Sequence, residues 1–265
     1  MKKMIVFDQD DTINITKLPI DQEMARLLKI LLQKYQVCVI SGTNWEIMKK
    51  NDIAPLEKIG GIAFEKYFIM PTTGTQFWSY LGNQVIDLVD NEQIVDAGWK
   101  REYAYFLSEE QIEVAMERLE YAAKQLGYWC DNPSGEIIED RQSQVTFSAL
   151  GQWATPEQKR EWDPDMKKRA AIVKLIAADL SEIGLEIAIG GATSIDITLP
   201  GIDKAYGMSK LMEQTGLGKK EILFIGDKLQ PGGNDYPVKA LGIDCIEVQS
   251  CNDTKWILRG ILALT

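Results

Sequence analysis

The 265-residue sequence contains no histidine. A chain without imidazole cannot form a Ser-His-Asp or Cys-His catalytic group, a His-ligated zinc site or a His-ligated haem site. Any general acid or base must therefore be a carboxylate, a lysine, a tyrosine or a cysteine.

Basic residues are also scarce, since 29 Lys and Arg stand against 39 Asp and Glu and give a formal net charge of −10. Nucleic-acid binding requires clustered Lys and Arg opposite the phosphates, so the composition weighs against a nucleic-acid partner. An acidic balance suits a cation-binding protein, although taken alone it bears only on solubility.

Long apolar runs are missing as well. The run at residues 4–7 is too short for a signal-peptide core, and no run is long enough to span a membrane. The cysteines at 38, 130, 245 and 251 form no C-x-x-C pair, and we interpret Cys38 and Cys245, in strand-like runs, as buried reduced thiols. We therefore expect a cytoplasmic protein without a membrane partner.

The two ends of the chain share one pattern. Short apolar runs at residues 4–7, 37–40 and 222–225 are typical of strands buried on both faces. Helical spacing of apolar residues at 24–35 separates the first two runs, and another strand-like run follows at 245–248. This alternation predicts an α/β fold: a doubly wound, Rossmann-like parallel sheet with helices on both faces.

The middle of the chain is different. Apolar and polar residues alternate over residues 136–148 and 185–199, and helical apolar stripes run along 112–126 and 166–180. This pattern predicts an antiparallel sheet that carries two helices on one face.

We therefore expect an α+β cap domain at residues 83–200, inserted into a core domain formed by 1–82 and 201–265. Turn signals at 82–83 and 90–91 flank a further strand-like run at 85–89.

Three carboxylates, those of Asp8, Asp10 and Asp11, directly follow the first predicted strand. Ligands of open α/β sheets bind beyond the carboxyl ends of the strands. Crowded carboxylates repel one another, and Mg²⁺, which takes carboxylate oxygens, would relieve that repulsion. Taken alone, the motif is as typical of a solvated acidic turn as of a cation site.

A second acidic group follows the strand at 222–225, where Asp227 and Asp235 lie in one loop. If the two strands are neighbours, their terminal carboxylates can bind the same cation. Gly232 and Gly233 would permit close backbone approach, or simply form an ordinary turn.

Two further features suit an anionic ligand. Ser41 and Gly42 follow a strand at the expected start of a helix. This position is typical of either an anion-binding site or a plain helix N-cap. Lys204 precedes another helix, where a lone lysine is usually a surface residue.

The order of these motifs resembles that of the haloacid dehalogenase (HAD) phosphotransferase superfamily. The motifs are Asp-x-Asp-x-Thr at 8–12, Ser-Gly at 41–42, Lys204, Gly-Asp at 226–227 and Asn-Asp at 234–235. The insertion resembles the type IIB cap of that superfamily. The resemblance implies that Asp8 is the nucleophile, forming an aspartyl-phosphate, and that Asp10 is the general acid and base.

The same resemblance implies a Mg²⁺ site and a phosphoryl site. The metal residues would be Asp8, Asp10 through its backbone carbonyl, and Asp227, supported by Asn234 and Asp235. The transferring phosphoryl group would be held by Ser41, Gly42 and Lys204.

Within the superfamily, the Pro-Gly-Gly-Asn-Asp ending at 231–235 and the segments 141–152 and 189–196 are similar to the eukaryotic-type phosphomannomutase family. By resemblance, Ser194 and Asp196 would contact sugar hydroxyls and Arg141 a substrate phosphate. A homodimer through the cap is suggested by resemblance alone.

The sequence departs from that family at three cap positions: Thr146 replaces Asn, Ala149 replaces Pro, and Gln152 replaces Arg. A mutase must retain a bisphosphorylated intermediate, and loss of a bidentate arginine weakens that grip. We therefore expect a Mg²⁺-dependent phosphatase for a sugar phosphate or similar small phosphomonoester. The alternatives are a phosphomannomutase-type mutase and a catalytically idle fold that only binds a sugar or a partner.

Overall fold

The computed structural model describes residues 1–82 and 95–264. Its strands are β1 (Met4–Asp8), β2 (Gln36–Ile40), β3 (Tyr67–Met70), β4 (Gln76–Tyr80), β5 (Val95–Asp96), β6 (Trp99–Ala104), β7 (Ile138–Asp140), β8 (Val145–Ser148), β9 (Glu186–Gly190), β10 (Ser194–Thr198), β11 (Ile222–Gly226) and β12 (Asp244–Glu247). Its α-helices are α1 (Gln22–Leu31), α2 (Trp45–Met48), α3 (Ala54–Ile59), α4 (Glu109–Gln125), α5 (Pro156–Trp162), α6 (Lys167–Glu182), α7 (Lys204–Thr215), α8 (Tyr236–Ala240) and α9 (Cys251–Ala263). A π-helical turn, Lys49–Ile53, joins α2 to α3.

The chain divides into two compact units. The first, the core unit, combines Met1–Ala104 with Asp203–Thr265, and the second, the cap unit, is Tyr105–Ile202. The first junction differs from the expected one at 82/83 because β6 pairs with β4 in the sheet of the core unit. The predicted strand at 85–89 lies outside the described residues. No described helix has the length and apolar character needed to cross a membrane.

The sheet of the core unit has the strand order β12-β11-β1-β2-β3-β4-β6-β5. Pairing is parallel from β12 through β3 and antiparallel from β3 through β5. The α/β prediction is confirmed, and the structure adds an antiparallel edge. Strand β1 lies centrally, between β11 and β2, so its carboxyl end is flanked by the ends of both neighbours.

Side chains of β1 explain why helices cover both faces of this sheet. Successive strand residues point to opposite faces. Ile5 and Phe7 belong to an apolar cluster with residues of α1, whereas Met4 and Val6 belong to a second cluster with residues of α7. All four are at most 1% exposed, so the apolar run becomes a strand buried on both sides.

The cap unit contains an antiparallel sheet in the order β7-β8-β10-β9. The α+β prediction for this part is thereby confirmed. Val145, Phe147, Ile195 and Ile197 form a buried core with residues of α4 and α6. Polar residues occupy the alternate positions, including a cross-strand row of Glu139, Thr146 and Asp196.

Helix α7 approaches the sheet unusually closely at Gly207. A Cβ atom there would lie 2.4 Å from Ile40 Cδ1 and 2.9 Å from the Thr73 carbonyl oxygen. The missing side chain therefore allows the first turn of α7 to lie against the end of β2. Lys204 is three residues earlier in the same helix, so this contact also fixes the position of Lys204.

We predict that Gly207→Ala destabilises the fold by about 1–3 kcal/mol, because the added methyl group would overpack the α7 contact. The matched control is Gly260→Ala in α9, where a Cβ atom would meet nothing within 4 Å. That substitution should stabilise the fold by about 0.5–1 kcal/mol through helix propensity alone. Urea unfolding measures both changes, and a stabilising Gly207→Ala would contradict the close-packing account.

Candidate active site

Three carboxylates meet at the carboxyl edge of the core sheet. Asp8 ends β1, and Asp227 directly follows β11, the parallel neighbour of β1. The loop after Asp227 brings in Asp235, and carboxylate oxygens of the three residues lie within 4.8 Å of one another. Asp8 of the first predicted acidic group therefore forms one cluster with the two aspartates of the second.

Lys204 compensates part of this charge. Its Nζ donates to Asp8 Oδ1 and, at 2.5 Å, to Asp235 Oδ1. Lys204 is 2% exposed and Asp235 is 0% exposed, so this ion pair lies in the protein interior. The Asp203 side chain caps α7 by accepting from the Tyr206 amide at 2.8 Å, which holds the start of the helix at this place. The surface-residue alternative for Lys204 is wrong.

Burial and the opposite charges of the ion pairs shift the pKa values of this cluster in opposite directions. Burial raises the pKa of Asp8 to about 7, with Lys204 lowering it and the carboxylates of Asp235 and Asp227 raising it. Burial also raises the pKa of Asp227, against the effect of Lys228. Burial alone would lower the pKa of Lys204, but Asp8 and Asp235 hold it above its usual value. Burial and the neighbouring carboxylates thus outweigh Lys204 in their effect on the pKa of Asp8.

The donor set fits a hard divalent cation. Asp227 Oδ1 is buried and has no hydrogen-bond partner among the described residues, while Asp227 Oδ2 lies 3.3 Å from Lys228 Nζ. Clustered carboxylate oxygens are the ligands that Mg²⁺ prefers. A cation would satisfy the unpartnered oxygen and offset the mutual repulsion of the three carboxylates.

Two glycines shape the loop that carries Asp235. A Cβ atom on Gly226 would lie 2.4 Å from Asp235 Oδ2, and one on Gly233 would lie 2.1 Å from the Lys228 carbonyl oxygen. Asp235 Oδ2 also accepts from the Lys228 amide at 3.0 Å. The loop is therefore folded tightly around a buried carboxylate, whereas Asn234 is exposed.

Asp10 lies in the loop after β1 but outside the carboxylate cluster. Its Oδ1 accepts from the Lys17 amide at 2.9 Å, and its side chain is partly exposed. Asp11 adopts φ 58° and accepts from the Thr16 hydroxyl at 2.7 Å, so it closes the loop from within. The structure thus brings Asp235, rather than the Asp10 carboxylate, to Asp8; binding through the Asp10 carbonyl stays a prediction.

Ser41 directly follows β2, beside the residue paired with Asp8. Ser41 Oγ accepts from the Thr43 amide at 3.2 Å, and the Ser41 carbonyl accepts from the Thr73 amide at 2.8 Å. The plain N-cap alternative is wrong, because Asn44 caps α2 instead, accepting from the Ile47 amide at 3.0 Å. Ser41 and Gly42 therefore form a turn near the carboxylates, and phosphate binding stays a prediction.

The predicted substrate residues of the cap have partners within their own unit. Arg141 Nη2 donates to Glu139 Oε2 at 2.7 Å, and both side chains are buried. Asp196 Oδ1 accepts from Gln144 Nε2 at 2.8 Å and from Thr146 Oγ1 at 2.9 Å.

The core unit also contains a buried polar pair that the sequence pattern does not indicate. Gln9 Nε2 donates to Asp52 Oδ2 at 2.8 Å, and the two side chains are 1% and 0% exposed. Gln9 stands at the variable position of the Asp-x-Asp motif, and Asp52 follows a run of polar residues. Nothing in that pattern indicates that either side chain is buried.

A sequence model described as eukaryotic phosphomannomutase matches residues 95–264 of the chain. The chain belongs to the eukaryotic phosphomannomutase family. The match covers the cap unit and the second part of the core unit, including Lys204, Asp227 and Asp235. Membership confirms the resemblance seen in the sequence and identifies the chain as an enzyme of the phosphotransferase or phosphohydrolase type, so the catalytically idle alternative is set aside.

Relatives within the phosphomannomutase family extend this likeness to the whole chain. The phosphomannomutase of Saccharomyces cerevisiae is 26% identical over 271 residues, covering 98% of this chain and 94% of the relative. Phosphomannomutase 2 of Dictyostelium discoideum is 26% identical over 239 residues, covering 88% of this chain and 85% of the relative. The phosphomannomutase of Drosophila melanogaster is 32% identical over 134 residues, covering 49% of this chain and 52% of the relative.

Solved structures show that this family member has the HAD fold. A haloacid dehalogenase-like hydrolase from Bacteroides thetaiotaomicron matches with a TM-score of 0.60 and 16% identity, covering 100% of both chains. An N-terminally truncated IMP-nucleotidase of Plasmodium falciparum matches with a TM-score of 0.67 and 18% identity, covering 100% of this chain and 71% of that one.

We predict that Lys204→Met destabilises the protein by about 3–5 kcal/mol, because removing one partner leaves buried carboxylates uncompensated. Lys210→Met is the control on the same helix, because Glu213, the ion-pair partner of Lys210, is exposed to solvent. Its loss should cost at most about 1 kcal/mol. Chemical unfolding of the two variants measures the difference, and equal small losses would contradict the interior ion pair.

Proposed function

We propose that the protein is a Mg²⁺-dependent phosphatase that hydrolyses a sugar phosphate, or a similar small phosphomonoester, through an aspartyl-phosphate on Asp8. The observation that carries the proposal is the cluster of Asp8, Asp227 and Asp235 at the carboxyl edge of the sheet, with Lys204 paired to the buried Asp8 and Asp235. Phosphoryl transfer depends chiefly on positioning and charge neutralisation. This cluster would supply the positioning and, together with Mg²⁺, the charge neutralisation.

In the first step, a carboxylate oxygen of Asp8 attacks phosphorus and the bond from phosphorus to the sugar oxygen breaks. The Asp10 carboxyl group donates its proton to the departing oxygen. In the second step, the Asp10 carboxylate removes a proton from water as that water attacks the phosphoryl group. Phosphate leaves, and both aspartates return to their starting protonation states.

Charge neutralisation allows one anion to attack another. When bound by Asp8, Asp227 and the Asp10 carbonyl, Mg²⁺ would offset the negative charge of the phosphoryl oxygens. Lys204 Nζ, which already contacts Asp8, would face the same oxygens. The Ser41 hydroxyl group, together with Gly42 at the end of the adjacent strand, would contact the phosphoryl group.

The cap favours hydrolysis over intramolecular transfer. A mutase needs cations that hold the distal phosphate while the proximal one reacts. Gln152 stands at the family's arginine position and carries no charge, and the charge of Arg141 is compensated by Glu139 at 2.7 Å. Weaker retention of a bisphosphate leaves the aspartyl-phosphate open to attack by water.

A phosphomannomutase-type mutase is the second candidate. Its support is the family membership and the curated relatives that carry the name phosphomannomutase. Arg141, Ser194 and Asp196 would bind substrate in either reaction, so they do not separate the two candidates.

We predict that Asp8→Asn lowers phosphatase turnover by on the order of 10⁶-fold, as for other covalent nucleophiles, while the fold is retained. The matched control is Asp11→Asn, three positions along the same loop. Asparagine tolerates the left-handed backbone at that position and keeps an acceptor for Thr16. Phosphate release from a panel of sugar phosphates with Mg²⁺ measures both variants, and an active Asp8→Asn would refute the nucleophile assignment.

The two candidates are separated by an assay with a hexose 1-phosphate primed by hexose 1,6-bisphosphate. We predict more phosphate release than transfer between the 1- and 6-positions for the wild type. Gln152→Arg should shift the ratio toward transfer, because a guanidinium group forms bidentate bonds with phosphate. Efficient wild-type transfer with little free phosphate would overturn the phosphatase proposal in favour of the mutase.

A further inference from the structure

Asp52 is a fully buried carboxyl group that the proposed chemistry does not use. It lies in the π-helical turn Lys49–Ile53, and its Oδ2 accepts from Gln9 Nε2 at 2.8 Å. Its Oδ1 is buried without a hydrogen-bond partner in the described part of the chain, residues 1–82 and 95–264. Burying a half-satisfied carboxyl group is costly, so its presence calls for a role beyond packing.

The local electrostatics keep this carboxyl group largely neutral at pH 7. Burial raises the pKa of Asp52 to about 8, with the hydrogen bond from Gln9 lowering it and the carboxylates of Asp10 and Asp8 raising it. A neutral acid keeps the carboxyl oxygen that accepts from Gln9 without adding a further negative charge beside Asp8 and Asp10.

The partner of Asp52 stands between the two catalytic aspartates. Gln9 follows Asp8 and precedes Asp10, and its side chain is 1% exposed. The Gln9 carbonyl accepts from the Ile13 amide at 3.0 Å, so the same residue closes the loop through its backbone. Anchoring the Gln9 side chain therefore restrains the backbone on which Asp8 and Asp10 are carried.

The π-helical turn also holds the far end of this loop. The Asn51 carbonyl accepts from the Ile20 amide at 2.9 Å, and Asn51 Nδ2 donates to the Lys17 carbonyl at 3.3 Å. The Lys17 amide in turn donates to Asp10 Oδ1 at 2.9 Å. One turn of chain thus contacts the loop at both ends, and π-helical turns are frequent at functional sites.

We propose that Asp52 and Gln9 are positioning residues whose hydrogen bond fixes the loop of residues 9–20, and with it the orientation of Asp10 relative to Asp8. The inference rests on the proposed function for the roles of the two aspartates. It assigns Asp52 to the reaction through Gln9, without contact with the substrate.

The test compares Gln9→Met/Asp52→Leu with Asp52→Asn. The double variant removes both polar partners in favour of apolar groups of similar shape, so it should unfold at the same or a higher urea concentration. Its kcat with Mg²⁺ and a hexose phosphate should fall about 10-fold or more at nearly unchanged KM, as expected for misplaced catalytic groups. Asp52→Asn keeps an acceptor for Gln9 and should retain most of the wild-type kcat.

Hydrogen exchange of the Lys17 amide gives a second readout that needs no substrate. It should become faster in the double variant and stay protected in Asp52→Asn. A double variant with wild-type kcat and a protected Lys17 amide, or one that no longer folds, would overturn the positioning role. A wild-type protein that releases no phosphate from any phosphomonoester would refute the proposed function, while the exchange result still decides whether Asp52 holds the loop.

Discussion

The buried ion pair of Lys204 with Asp8 and Asp235 is the interaction on which the rest of the site depends. It joins the end of β1, the start of α7 and the loop after β11, which are distant in the sequence. Without the lysine, two buried carboxylates would face each other in a medium that screens charge poorly. The close approach of α7 at Gly207 and of the Asp235 loop at Gly226 makes this pairing sterically feasible.

Because the chain has no histidine, the proposed chemistry depends on carboxylates. The site keeps acidic groups close enough to one another that burial and repulsion raise the pKa of Asp8 to about 7. Because a nucleophilic carboxylate must be charged, Asp8 depends on the opposing charge of Lys204, which lowers this pKa. The opposing lysine favours the charged carboxylate of Asp8, and a cation bound by the same carboxylates would do so as well. The reactivity of Asp8 and the proposed metal binding would then be coupled through the same residues.

Much of this arrangement was predictable from strands that end in aspartate. Parallel neighbours place their carboxyl ends at one edge, so the sequence pattern predicted that Asp8 and Asp227 could meet if their strands were neighbours. The pairing of β1 with β11 meets that condition. The direct bond from Lys204 to Asp235 was not predictable, because it depends on how tightly the loop after β11 folds. The boundary between the two compact units follows Ala104 rather than residue 82 because β6 (Trp99–Ala104) pairs with β4. The sequence pattern does not indicate this tertiary contact, since β6 contains a run of charged residues.

Binding of beryllofluoride, which mimics a phosphoryl group on an aspartate, tests the central claim most directly because it needs no knowledge of the substrate. Fluorine NMR should show one bound beryllofluoride per chain when Mg²⁺ is present, and none when Mg²⁺ is withheld or when Asp8 is replaced by Asn. A wild-type protein that bound none with Mg²⁺ present, or an Asp8→Asn variant that bound it equally well, would contradict the proposed site.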